Sequence, residues 1–101
     1  MRNIQSPTQG INTPSILDTA GTALAANTER QSWNIQNVGT NPVFVLLGSG
    51  ASTTVFHHVI KGGTGASDGL GGSIGEDGNG CVYSGIITFA GTTPKIVVRE
   101  S

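Results

Sequence analysis

Nine of the twenty residues from position 61 to position 80 are glycine, and on either side of that stretch the apolar residues come only in short runs of Val, Ile, Phe and Trp. A glycine-rich, weakly charged segment loses much entropy on ordering and cannot nucleate a core of its own. The sequence therefore predicts a loop over residues 61–80 that stays mobile until another surface holds it. The flanking runs must supply the core, and their period is that of strands. In residues 31–38, Trp33 and Ile35 alternate with Ser32, Asn34 and Gln36, as in a strand with one buried face. Residues 43–47 are apolar on both faces and predict a central strand buried on both sides or lying at a contact, and the turn residues Gly39, Thr40, Asn41 and Pro42 join the two as a hairpin.

The same pattern continues in both directions. Residues 53–60 return to β-branched and aromatic types, residues 81–89 place Tyr83, Ile87 and Phe89 on one face, and residues 95–100 turn Ile96 and Val98 inward with Val97 and Arg99 outward. Residues 16–20 are a weaker strand. The one helical possibility is residues 22–29, where Ala and Leu cluster without a repeating apolar face. Some six strands at this spacing predict an all-β fold, an antiparallel β-sandwich or a jelly-roll-like barrel. Trp33, Ile35, Val45, Ile87 and Val98 are expected to share its interior.

With 101 residues the chain reads as a single β domain over residues 15–101, carrying the glycine-rich loop and preceded by an extended N-terminal arm over residues 1–14. The arm contains two prolines and only Ile4 and Ile11 to bury, so it is extended and has too little apolar surface to fold alone. Leu70 and Ile74 stand equally isolated in the glycine loop. Apolar residues scattered along such segments are typical of chains that order on a partner. Ile4, Ile11, Leu70 and Ile74 are accordingly the candidate partner-binding residues.

Charged side chains make up 11% of the chain and the net charge is -1, against about 25% charged residues in ordinary domains. Arg2, Arg30, Lys61, Lys95 and Arg99 are scattered rather than clustered, which argues against a nucleic-acid partner. So little charge makes a poor solubilising surface and predicts that part of it is covered in an assembly. Cys81 is the lone cysteine, so no intrachain disulfide is expected and the thiol reads as a small core hydrophobe. Residues 1–14 lack the apolar core of a signal peptide and the longest apolar run, residues 43–47, is too short to span a bilayer.

Residues that could carry chemistry are few. Gly71, Ser73 and Gly75 match the G-x-S-x-G string of serine hydrolases, but no helix follows to form the strained elbow and no histidine comes later in the chain. His57 and His58 are adjacent, so in a strand they point to opposite faces, one inward and hydrogen-bonded and the other at the surface. Asp68, Glu76 and Asp77 lie in the glycine loop with none of the spacing of a calcium motif and read as solvated carboxylates. Neither G-x-G-x-x-G nor a Walker lysine occurs. No catalytic, cofactor-binding or metal-binding residues are expected, and the chain is not read as an enzyme.

Residues Thr28, Glu29 and Arg30, the run Trp33, Asn34, Ile35, Gln36 and Asn37, the segment from Gly39 to Val45, and Leu47 with Gly48 together resemble small structural proteins encoded by tailed bacteriophages. Lys61, Gly62 and Gly63, the run Tyr83 to Ile86, and the terminal Val97 to Glu100 fit the same pattern, so the resemblance covers residues 24–100. It implies a virion β-domain, foremost a cement or decoration protein on the outer capsid surface that stabilises the shell. The major capsid protein or other virion proteins would be its partners, a homo-oligomer, preferably a trimer, its assembled form, and the bacterial host cytoplasm its place of synthesis. A tail, neck or fibre component, or a glycan-binding β-sandwich, are the alternatives.

Overall fold

Pairs of strands add up in sequence order: β1 (Ile16–Leu17) with β8 (Ile96–Glu100), β2 (Gly21–Leu24) with β7 (Ile87–Ala90), β3 (Trp33–Asn37) with β6 (Ser73–Glu76), and β4 (Val43–Leu46) with β5 (His58–Ile60). The chain is thus one long antiparallel hairpin with its tip between β4 and β5. A computed structural model describes residues 15–76 and 82–101, so Ile4 and Ile11 of the arm, Asp77 and Cys81 lie outside the described residues. The hairpin is rolled into two four-stranded antiparallel sheets, β1-β8-β3-β6 and β2-β7-β4-β5. The fold is all-β, with no helix among the described residues, and is consistent with a β-sandwich.

Alternation places the core between the sheets. In β3 the residues Trp33, Ile35 and Asn37 are buried and Asn34 and Gln36 are half-buried, while in β4 Val43 and Val45 are fully buried and Phe44 and Leu46 less so. The five residues expected to share one interior, Trp33, Ile35, Val45, Ile87 and Val98, all lie in a single apolar cluster, with Leu24, Val43, Ile60, Phe89 and Ile96 among their neighbours. β7 is buried along its whole length. Phe89 lies opposite the inward Val45, so Thr88 faces outward, and the turn after β4 covers it: the Thr88 hydroxyl donates to Gly48 O at 2.6 Å and accepts from Ala51 N at 3.1 Å.

Four expectations are corrected. Residues 22–29 are not helical: Gly21–Leu24 is strand, with a bulge between Thr22 and Leu24 that buries both Ala23 and Leu24, because pairing with β7 outweighs the weak helix propensity of the run. β3 and β4 are not a hairpin. Both edges of β3 are taken by β8 and β6, and the chain crosses to the other sheet at residues 38–42. Turn residues report a change of direction, not which sheet receives the next strand. Among the described residues, the strand expected over residues 81–89 forms only as Ile87–Ala90, and that over residues 53–60 only as His58–Ile60, preceded by a tight turn in which Ser52 and Val55 exchange backbone hydrogen bonds.

The fourth correction concerns the glycine stretch. It is not one loop, since Ser73–Glu76 is the edge strand β6. Residues 61–72 are held by their own chain: Gly63 N donates to Gly39 O at 2.9 Å, Ser67 N to Val38 O at 2.6 Å and Asn37 N to Gly72 O at 2.9 Å. The 61–72 segment is the return arm of the hairpin as it crosses between the sheets alongside residues 38–42. A side chain at Gly71 would collide with the Asn37 carbonyl, and one at Gly75 with that of Trp33. The glycines serve close backbone approach at a corner.

Ile35 is fully buried in the strand shared by both halves of its sheet. Ile35→Ala is expected to lower the unfolding free energy by about 2–5 kcal/mol, and Arg99→Ala, exposed on the neighbouring strand, by less than about 0.5 kcal/mol. Urea denaturation of the two variants checks the register.

Candidate functional site

Two corners of the rolled hairpin are each closed by a buried polar side chain. At the β2–β3 crossing, a turn at residues 27–30 in which Asn27 Oδ1 accepts from Glu29 N brings Arg30 inward. Its side chain is fully buried. Nε donates to Glu100 Oε1 at 2.8 Å, one terminal nitrogen donates to the carbonyls of Tyr83 and Gly85 at 2.8 and 3.1 Å, and the other donates to Ala25 O at 2.7 Å. The carbonyls of Tyr83 and Gly85 therefore serve the guanidinium, and residues 82–86 leave the strand pattern that their alternation suggested. At the β3–β4 crossing, Asn37 Nδ2 donates to Asn41 O and Ile60 O at 2.8 and 2.9 Å, and its Oδ1 accepts from Gly39 N at 2.9 Å. Nothing in the sequence marks either side chain for this role.

The carboxylates are also engaged. Asp68 is not simply solvated: it accepts from Leu70 N at 2.9 Å, Thr64 Oγ1 at 2.8 Å, Gly65 N at 2.7 Å and Thr64 N at 3.0 Å. The Leu70 amide foremost, then the Thr64 hydroxyl and the Gly65 and Thr64 amides, hold its carboxyl below the ordinary aspartate value. Glu76 lies in β6, not in a loop, and its Oε1 accepts from the Trp33 indole at 2.6 Å and from Tyr83 N at 2.9 Å.

Beside Glu76 the sandwich opens into a groove of about 510 Å³ lined by Trp33, Leu47, His58, Ser73, Ile74 and Glu76. Serine, histidine and glutamate meet here, yet no described hydrogen bond joins Ser73 to His58, and Oε1 of Glu76 is occupied by the indole and an amide. Ser73 sits on strand rather than on an elbow. His58 lies opposite the inward Val45 but is exposed at the groove, and it is His57, also exposed, whose Nδ1 accepts from Leu47 N at 3.0 Å. The hydrogen-bonded histidine is therefore not an inward one, because the edge position of β5 leaves both rings at the surface. Among the described residues no three His, Cys, Asp or Glu side chains converge as a metal site, and no helix is long and apolar enough to cross a membrane.

The candidate partner-binding residues separate. Leu70 is 57% exposed at the surface of the corner loop. Ile74 is half-buried opposite Ile35 and packs against the core. Ile4 and Ile11 lie outside the described residues. A surface not singled out by the sequence is the outer face of the second sheet, where Phe44 pairs with Val59 across the β4–β5 ladder and meets Phe56 edge-on at 5.0 Å between ring centroids. Val55, Phe56 and Val59 are 51%, 38% and 49% exposed. Their signal was the two-sided apolar run of β4, whose outer face needs a cover as much as its inner one.

No family model, curated protein or solved structure matches the chain.

Two measurements check the polar framework. Arg30→Ala strands Glu100 and three carbonyls and is expected to cost about 3–5 kcal/mol. Arg30→Lys should recover little of it, since an ammonium cannot hold these four acceptors in the guanidinium's planar arrangement; urea unfolding of both variants decides. For Asp68, a folded pKa below the unfolded one contributes stability that is present above the ordinary value near 3.8 and lost as pH falls through the lower, folded value. The Thr64, Gly65 and Leu70 amides should accordingly lose protection relative to their intrinsic exchange rates below that pH, and Asp68→Asn should show weakened protection already at neutral pH, as read by NMR hydrogen exchange.

Proposed function

We propose that this chain is a non-enzymatic structural protein of a bacteriophage virion, a cement or decoration protein that binds the outside of the capsid and stabilises the shell. The observation that carries the reading is the strand order. Sheets ordered 1-8-3-6 and 2-7-4-5, with nested pairs 1-8, 2-7, 3-6 and 4-5, support a jelly roll, the architecture of viral capsid domains and of lectins. Since that fold hosts more than one function, surface chemistry must choose between them. A glycan reader needs aromatic faces open to a sugar ring, and Trp33 at the groove is 4% exposed with its indole bound to Glu76. The open aromatic and aliphatic surface lies instead on a sheet face, which favours packing against protein.

In this reading the domain is a platform. The arm over residues 1–14, with Ile4 and Ile11, and the exposed Leu70 reach the major capsid protein or another virion protein, while Ile74 contributes from the platform side. Copies form a homo-oligomer, preferably a trimer, made in the host cytoplasm and carried on the virion. A tail, neck or fibre position is the same chemistry on another virion surface.

The test is binding of the purified chain to capsid shells of the virus that carries its gene. Saturable binding is expected, weakened at least about tenfold by deletion of residues 2–12 or by Leu70→Ser, with the circular dichroism spectrum unchanged. Failure to bind any shell preparation, together with binding to host glycans on an array, would give the lectin reading instead.

A further inference from the structure

Charge is distributed unequally between the two sheets. The strands of the first sheet carry Glu76, Arg99 and Glu100, and the connections that run between the sheets carry Asp18, Glu29, Arg30, Lys61, Asp68 and Lys95. The four strands of the second sheet carry no Asp, Glu, Lys or Arg at all, and neither does the 47–57 connection that borders its outer face. Residues 31–60 and 78–94 are without such a residue throughout. On that face lie two of the five large apolar side chains most exposed among the described residues, Phe56 and Val59, both against Phe44, and Val55, a third, is the chain neighbour of Phe56.

Depletion of charge around exposed aromatics is the composition of an interface core. The Ser and Thr residues of the 48–54 turn give it an uncharged polar rim. From this we infer that the outer face of the β2-β7-β4-β5 sheet is the surface through which copies of this chain associate with one another. The absence of Asp, Glu, Lys and Arg from these strands and from the 47–57 connection is what selects a second copy over a different protein. In a closed symmetric assembly, groups near the axis meet their own counterparts, so any charge there is set against a like charge. A different partner imposes no such restriction, and complementary charge on the two surfaces would then speed and orient the encounter. The inference goes beyond the virion reading and does not depend on it, because it concerns the chain alone.

The experiment is light scattering of the full chain over a concentration series, with variants that keep the interior intact. Wild type is expected to form one closed oligomer that persists at about 1 M salt, where pairing of surface charges would be screened out. Val59→Lys, at a position 49% exposed, places like charges across the contact and should weaken association about a hundredfold or more. Phe56→Ser should weaken it without adding charge. Val97→Lys, on the outer face of the other sheet, should leave it unchanged. Near-ultraviolet circular dichroism of the dissociated Val59→Lys chain should retain the Trp33 band, which separates dissociation from unfolding. A wild-type monomer at high micromolar concentration would overturn the inference. So would an oligomer that resists Val59→Lys and Phe56→Ser but is lost on Val97→Lys or on deletion of residues 2–12, the last assigning the contact to the arm.

Discussion

One buried guanidinium carries more of this fold than any other polar group. Arg30 is the only described cation with a fully buried side chain, and burying an ion is costly unless its charge and its donors are both satisfied. Here Glu100 supplies the charge and the carbonyls of Ala25, Tyr83 and Gly85 take three further hydrogen bonds. Those acceptors come from the end of β8, the exit from β2 and the approach to β7. The two crossings between sheets at this end, β2 to β3 and β6 to β7, are thereby fixed relative to β8 and to β3, which Arg30 precedes. Once that is set, the nested pairing of the strands and the single apolar interior follow.

The opposite corner uses a neutral group for the same purpose. Asn37, 1% exposed, bonds across the crossing to Asn41 and Ile60, and the glycines of the return arm let two backbones lie closer than side chains would permit. Asp68 then closes the 64–70 loop with four hydrogen bonds. Polar side chains in this molecule thus do what regular ladders cannot do at corners, by supplying partners for backbone groups that have left the sheet. The consequence for function is indirect: side chains that resemble chemical equipment are engaged in holding the chain, and the surface left open is the apolar face over β4 and β5.

The strands were legible where one face is buried. Trp33 and Ile35, Val43 and Val45, and Ile96 and Val98 alternate in the sequence as they do between the sheets, and those positions hold the core. What was not legible was non-local. One partner of β3 is β6, on the far side of the hairpin tip, and its pairing turns Ser73–Glu76 from an apparent glycine loop into strand. Arg30 could not be distinguished from a surface arginine, since its acceptors are backbone carbonyls whose availability depends on the corner that it closes. Likewise, 22–29 carries helix-forming residues but no apolar stripe, and contact with β7 decides its state. Among the candidate binding residues, Leu70 is exposed, whereas Ile74 is half-buried against the core because β6 brings it opposite Ile35.

Taken together, the rolled sheets, the polar groups held inside and the uncharged outer face describe a platform whose proposed business is assembly. The most direct measurement is a cryo-electron microscopy map of the intact virion at side-chain resolution. The account predicts eight-stranded domains on the outer capsid surface, grouped about a symmetry axis, with Phe44, Phe56 and Val59 of neighbouring copies in contact and residues 1–14 running to the shell. Density for the chain with that sheet face turned to solvent and no contact between copies, or its absence from the particle, would contradict it.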